Sequence, residues 1–357
     1  MGKDNFLYLK LYSDIKEKID AHIYEEGTRI PSDDELKKMF GVSMITVKKA
    51  LSILKDDNLI QRIPGVGTFV RNQNLDSSDK EETKPSIYRK IGLVMEHVSS
   101  AFGLDLLYGI DQQAEKNGYK VTTRFSYFNR EKETEEIDFL IQSGIEGLII
   151  MPCHGIYYNP KLLKLILEGF PVVVIDKKLD GILVTSVCTD NKQAIKTLVK
   201  TLYDKGCRNI GFVSAHIIGT SSLHERRLGF YEATEEFAIN SVSECTLIFD
   251  ENIYQHDPLE ENITLATSYF EKYGEKLDGI ICSEYSFMSA LTEAMNRSKI
   301  PLNSINICCV DGSQELKTPH MKQDEVKMAE KIIELLLKQI TFENTDTDIV
   351  IPALLIN

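Results

Sequence analysis

The sequence predicts an α/β protein in two unlike parts: a small helical module closed by a β-hairpin, then a doubly wound α/β region of two subdomains. Three observations carry this reading. Apolar residues recur at helical spacing between Tyr12 and Leu54 and then give way to short strand-like runs. Positions 72–86 read NQNLDSSDKEETKPS, a charged stretch with Leu75 as its sole apolar side chain, too polar to fold by itself. Beyond it, short apolar runs alternate with helical patterns that stop at glycine. The expected divisions are 1–72, a linker at 73–88, and 89–357.

In the first part, Tyr12, Ile15, Ile19 and Ile23 predict an amphipathic helix. Pro31-Ser32-Asp33-Asp34-Glu35 predicts the start of a second: Ser32 can accept from the Glu35 amide while the Glu35 carboxylate reaches back. That helix turns Leu36, Met39 and Phe40 inward and stops at Gly41, whose freedom at positive φ permits a tight turn. Ser43 can cap a third helix with Val47, Ala50, Leu51 and Leu54 inward. Met44, Ile45, Thr46, Lys48 and Lys49 are left at its exposed N-terminal end, as a recognition helix requires. Leu59–Ile63 and Thr68–Val70 then read as a hairpin joined across Pro64-Gly65-Val66-Gly67. Helix, helix, turn, helix and hairpin make a winged helix-turn-helix.

In the second part, strands are expected at Ile91–Met95, Tyr119–Phe125, Gly147–Met151, Pro171–Ile175, Asn209–Val213, Gly279–Cys282 and Ile305–Val310. Helices are expected at Leu104–Asn117 and Glu131–Ser143. Val172-Val173-Val174-Ile175 is apolar on both faces, as in a parallel strand covered by helices on either side. About 270 residues is long for one such sheet, so two subdomains are expected, with a ligand cleft at the carboxyl ends of the strands and chain crossovers near 186–190 and 311–313.

Charge divides along the same line. Residues 1–73 hold 12 Lys+Arg against 11 Asp+Glu, a balance of +1 that leaves −14 for the rest of a chain at −13. A head so weakly basic implies modest, salt-sensitive DNA affinity and calls for a dimer. The seven cysteines show no zinc-ligand spacing, and His216, His224, His256 and His320 show no metal spacing. With no apolar h-region after the N-terminus and no run long enough to span a bilayer, the expected location is the cytoplasm. No G-x-S-x-G elbow, phosphate loop or ordered carboxylate pair points to an enzyme. Gly65-Val66-Gly67 lies in a hairpin and opens no helix, so no dinucleotide is implied. The reading calls for no catalytic residue, cofactor or metal.

The first part resembles the GntR family. The resemblance is carried by Ile30-Pro31-Ser32-Asp33-Asp34-Glu35-Leu36, by Phe40-Gly41-Val42-Ser43-Met44-Ile45-Thr46-Val47-Lys48-Lys49-Ala50-Leu51, and by Gly65-Val66-Gly67-Thr68-Phe69-Val70. It implies operator contacts from Ser32, Ser43, Met44, Thr46, Lys48 and Lys49, with Gly65 and Gly67 letting the wing approach the minor groove. Met44 and Lys48 stand where the family usually has arginines. Loss of a bidentate donor at Met44 implies an operator unlike the family's usual one.

The second part resembles the LacI/GalR effector domain, similar in fold to periplasmic sugar-binding proteins. Its carriers include Ile91-Gly92-Leu93-Val94, Ser99-Ser100-Ala101-Phe102, Val187-Cys188-Thr189-Asp190-Asn191, Arg226-Arg227-Leu228-Gly229-Phe230 and Val310-Asp311-Gly312. The resemblance implies that Arg226 clamps sugar hydroxyls, Asp311 accepts from them and Phe102 stacks, with His97, Ser99, Ser100, Asp190 and Ser283 lining the cleft. By the residues alone, Arg226 is either this clamp or a helix-surface partner of Glu225 or Glu232, and Asp311 either a ligand group or a turn former. His97 stands where the family usually has aspartate, and Ser283-Glu284 where it often has Asn-Asp.

The combination resembles the arabinose repressor subgroup. It implies a homodimer that binds double-stranded operator DNA and releases it on binding a monosaccharide such as L-arabinose or L-fucose. The other classes considered were a sensor that activates transcription or binds DNA weakly, a transport-binding protein, and a sugar-processing enzyme.

Overall fold

The computed structural model describes residues 7–63, 67–71, 89–155, 157–215, 219–239, 246–249, 259–301, 304–312, 316–341, 343 and 345–357. The chain forms two compact units, Met1–Ser86 and Ile87–Asn357. The expected linker at 73–88 lies outside the described residues, as does Gly65.

The amino-terminal unit contains α1 (Leu7–Asp20), α2 (Asp33–Phe40), α3 (Met44–Asp56) and an antiparallel hairpin of β1 (Ile60–Ile63) and β2 (Gly67–Val70). Its core joins Tyr8, Leu11 and Ile15 of α1, Leu36 of α2 and Val47, Ala50, Leu51 and Leu54 of α3. The hairpin gains a third edge: Arg29 bridges to Phe69, and the Ile30 amide donates to the Thr68 carbonyl at 2.9 Å. Two expectations fail here. Ile23 is 67% exposed, because α1 ends at Asp20 and His22 turns to a φ of 52°. Met39 is 58% exposed, because α2 makes barely two turns and Leu36 and Phe40, one turn apart, already fill its inner stripe.

The second unit is built on two six-stranded sheets. The first, in order β13-β7-β6-β5-β3-β4, contains β3 (Arg89–Met95), β4 (Tyr119–Phe125), β5 (Gly147–Ile150), β6 (Val172–Ile175), β7 (Thr185–Thr189) and β13 (Asp348–Ile351), all parallel. Helices α4 (Leu104–Lys116) and α11 (Glu325–Ile340) close a core in which Leu106, Ile110, Ile332 and Leu336 meet Ile91 and Leu93. The amino end of α4 has no cap of its own. Glu325 of α11 supplies one, accepting from the Gly103 and Leu106 amides at 2.9 and 2.8 Å.

The second sheet, in order β14-β12-β11-β10-β8-β9, contains β8 (Ile210–Ala215), β9 (Thr246–Phe249), β10 (Gly279–Cys282), β11 (Asn306–Val310), β12 (His320–Lys322) and β14 (Leu354–Ile356). It is parallel except where β14 runs against β12. One face packs Phe212 and Phe230 with Ile195 and Leu198 of α7 (Asn191–Asp204); the other packs Phe249, Phe270 and Phe287. Helix α8 (Ser221–Glu236) lies so close to α7 that a Cβ at Gly229 would overlap the Lys192 carbonyl.

The chain passes between subdomains three times. The first passage follows β7, within one residue of the expected 186–190. The second follows β12, at 323–324 rather than 311–313, because β12 still pairs with β11 and only α11 returns to the first sheet. The third, between β13 and β14, has no counterpart in the sequence reading. In each sheet the strand order reverses once, between β3 and β5 and between β8 and β10. Crevices at such switch points, outside the carboxyl ends of parallel strands, are where ligands bind.

Candidate functional site

Two sites are built here. In the head, Ser43 caps α3, its hydroxyl accepting from the Thr46 amide at 3.2 Å and sharing a 2.9 Å hydrogen bond with the Thr46 hydroxyl. Ser32 caps α2 in the expected box: Glu35 accepts from the Ser32 amide and hydroxyl at 2.7 Å. Met44, Thr46 and Lys48 are half-buried near the α3 amino end. Lys49 is drawn aside, its ammonium 4.2 Å from the Tyr8 ring centre, and burial pushes its pKa down to about 8. Arg62 is tied to Asp33 at 2.6 Å. Gly67 adopts a φ of 142°, and the Arg29 side chain lies where a Cβ would stand. The sequence reading did not single out Arg29, since only folding brings it to the wing.

In the second unit, charged and polar residues within four positions of the ends of parallel strands gather at the facing carboxyl edges. After β3 come Glu96 and His97; after β5, His154; after β6, Asp176 and Lys177. Glu96, 1% exposed, and Lys177, 4% exposed, form an ion pair. Lys177 also donates to the Pro152 carbonyl at 2.8 Å, and Glu96 accepts from the His154 amide at 2.8 Å. Burial pushes the Glu96 carboxyl up, and Lys177 pulls it back. His154 is held well below the usual imidazole range by burial and by the nearby Lys177 cation, so it is neutral at pH 7. Its Nε2 lies 3.4 Å from Glu96 and its Nδ1 3.2 Å from the Thr220 hydroxyl, which stands in the other subdomain at the start of α8. The Ser221 hydroxyl accepts from the Lys178 amide at 2.7 Å, a second bridge between the subdomains.

The opposite edge centres on Arg226, 2% exposed. Its Nε donates to Asn191 Oδ1 at 2.7 Å, its Nη1 donates to the Ser283 carbonyl at 2.8 Å, and Glu284 stands 3.7 Å away. Asp311, at a φ of 63°, receives Gln323 Nε2 at 3.1 and 3.3 Å on its two oxygens. Burial pushes its pKa up to about 7, opposed by Arg226. The negative charge of Asp176 raises both Glu96 and Asp311, so the two edges share one electrostatic environment.

Of the residues expected here, Arg226, Asp311 and Ser283 come together, Ser283 through its carbonyl while its hydroxyl donates to Ser214. His97 stands on the other edge, its buried Nδ1 without a hydrogen-bond partner among the described residues. Asp190 caps α7 by accepting from the Gln193 amide at 2.9 Å. Ser99 closes its own turn through the Ala101 and Phe102 amides, and Ser100 is exposed. Phe102 is set into the core under α4. Glu96, Phe128, Lys177, Asn191 and Gln323 were not anticipated. For Glu96 and Lys177 a signal existed: a charged residue within two positions of the end of a parallel strand whose last residues are all apolar must sit at the carboxyl edge.

Among the described residues, no cluster of His, Cys, Asp and Glu could hold a metal, six cysteines are free and buried, and no helix is long and apolar enough to cross a membrane.

Comparisons with known proteins agree with this architecture. Residues 7–70 match the family of bacterial regulatory proteins called gntR, and residues 91–341 match the periplasmic binding protein domain family. The arabinose metabolism transcriptional repressor of Geobacillus stearothermophilus is 23% identical over 351 residues, covering 95% of this chain and 92% of that protein. Among solved structures, a putative ribose operon repressor from Burkholderia thailandensis superposes with a TM-score of 0.64 at 18% identity, over 75% of this chain and 99% of that one. The Cra transcriptional dual regulator of Pseudomonas putida, solved with fructose 1-phosphate, gives 0.63 at 18% identity, over 75% and 98%.

Proposed function

We propose that this chain, which belongs to the periplasmic binding protein domain family and carries a gntR-family head, is a transcriptional regulator and not an enzyme: a cytoplasmic, sugar-responsive repressor whose homodimer leaves its operator when a monosaccharide enters the effector cleft. The observation that carries this is the linked polar set of Arg226, Asn191, Asp311 and Gln323, facing Glu96, Lys177, His97 and His154 across the strand ends. Planar donors and acceptors held in fixed positions suit vicinal hydroxyls. Both buried cations already have carboxylates beside them, which suits a ligand without a charge of its own.

In this mechanism Ser43, Thr46 and Lys48 meet DNA from the start of α3, with Met44, Ser32, Lys49, Gly65 and Gly67 as further contacts. Arg226 clamps the sugar, Asp311 accepts from it, and His97 Nδ1 gains its missing partner. Closure reinforces the bridges from His154 to Thr220 and from Lys178 to Ser221, and the altered dimer no longer spans both half-sites. The coupling is bounded by the sugar's differential affinity for the two states. Mobility shift of the protein's own upstream DNA with a monosaccharide panel, L-arabinose and L-fucose first, tests this. Release by a sugar that binds is expected; unchanged operator affinity in the presence of a bound sugar overturns it.

A further inference from the structure

Between β4 and α5 (Arg130–Gln142) the chain turns through Tyr127 and Phe128 at φ of 51° and 60°, and the Asn129 amide donates back to the Ser126 carbonyl at 2.9 Å. Two successive residues at positive φ inside such a turn are ordinarily Asn and Gly, because a larger side chain is strained in the left-handed region. Here both are aromatic. Strain of this kind persists where the surroundings hold it, and it concentrates at ligand sites.

The held ring has a definite place. Phe128 lies 4.9 Å from the His97 ring centre, tilted by 32°, and 5.9 Å from the His154 ring centre, parallel within 4°. These are the two imidazoles of the first subdomain's edge, one of them with an unmatched Nδ1. Phe128 remains partly exposed, whereas Phe102 is packed into the α4–α11 core. The Tyr127 amide, donating to the Glu96 carbonyl at 3.1 Å, fastens the turn to the same edge.

We infer that Phe128, held by a strained turn against His97 and His154, is the aromatic surface on which the effector's apolar face rests, and that Phe102 supports the core beneath. This rests on the sugar-binding reading above. Calorimetric titration of the full chain with L-arabinose and L-fucose, and thermal melts without sugar, test it. Phe128→Leu keeps apolar bulk without a ring and should weaken binding at least tenfold, while Phe128→Tyr retains it. Phe102→Leu should lower the melting temperature and leave the dissociation constant within twofold. Phe128→Asn, at ease in the left-handed region, should raise the unliganded melting temperature by about 2 °C while weakening binding. Full binding by Phe128→Leu, or a fall in melting temperature for Phe128→Asn, overturns the inference and leaves the sugar reading standing. A wild-type chain that binds no monosaccharide overturns the sugar reading itself.

Discussion

Lys48 in the head and Arg226 in the effector unit are both helical cations, and the protein holds them in opposite ways. Lys48 lies near the start of α3, partly exposed, with no carboxylate in ion-pair range among the described residues. Arg226 is enclosed, its guanidinium fixed by Asn191, Ser283 and Glu284. An exposed cation adds a small, salt-screened attraction to phosphate that is nearly independent of its neighbours. A buried one is part of a network, and removing it leaves the partners desolvated and unmatched. Lys49 shows how abruptly one regime becomes the other: adjacent to Lys48 in sequence and half-buried like it, it lies over the Tyr8 ring, where burial lowers its pKa to about 8.

The sharpest test of this contrast is Arg226→Ala. A ligand at a hundred times its dissociation constant should stabilise the wild type by about 2.7 kcal/mol. The variant should fold, melt lower because Asp311 and Glu284 lose their cation, and show no ligand-induced shift. A full shift would remove Arg226 from the site. A smaller effect concerns Asp311. Its carboxyl rises from 3.8 to about 7 on folding, so the folded protein holds a proton that the unfolded chain releases. The stability this contributes is complete below the unfolded value and is lost as pH rises through about 7. The effector unit should therefore melt a few degrees lower, on the order of 3 °C, at pH 8 than at pH 5, and Asp311→Asn should flatten that slope. An unchanged slope would show that other groups carry it. The smallest effect is expected in the head. Lys48→Ala should reduce the salt dependence of operator binding by about one phosphate contact, and Lys49→Ala by less. Equal reductions would mean that Lys49 leaves Tyr8 when DNA binds.

What could be read early was what local chemistry dictates. The Ser32–Glu35 box and the stop at Gly41 depend on neighbours three to five residues apart, and both stand where expected. Tyr119–Phe125 and Gly279–Cys282 form strands at the expected bounds, because glycine, charge and an apolar run punctuate them. Errors arose where the answer depended on distant parts. Met39 fits helical periodicity but has no partner to bury it. The last strands, β13 and β14, are separated by two residues yet join different sheets, a choice made by pairing with β7 and β12 across more than thirty residues of intervening chain.

The sequence by itself determined the two-part architecture, the helix caps and the charge division, since patterning is a local property; it left open whether Arg226 and Asp311 reach the strand ends. Tertiary structure alone decided which groups meet there. Glu96 with Lys177, Asn191 with Arg226 and Gln323 with Asp311 are separated by 81, 35 and 12 residues. The meeting of Phe128 with His97 and His154, while Phe102 packs into the core, belongs to the same class. Burial and long-range pairing set the strength of each of these contacts, and neither is written in any short stretch of chain.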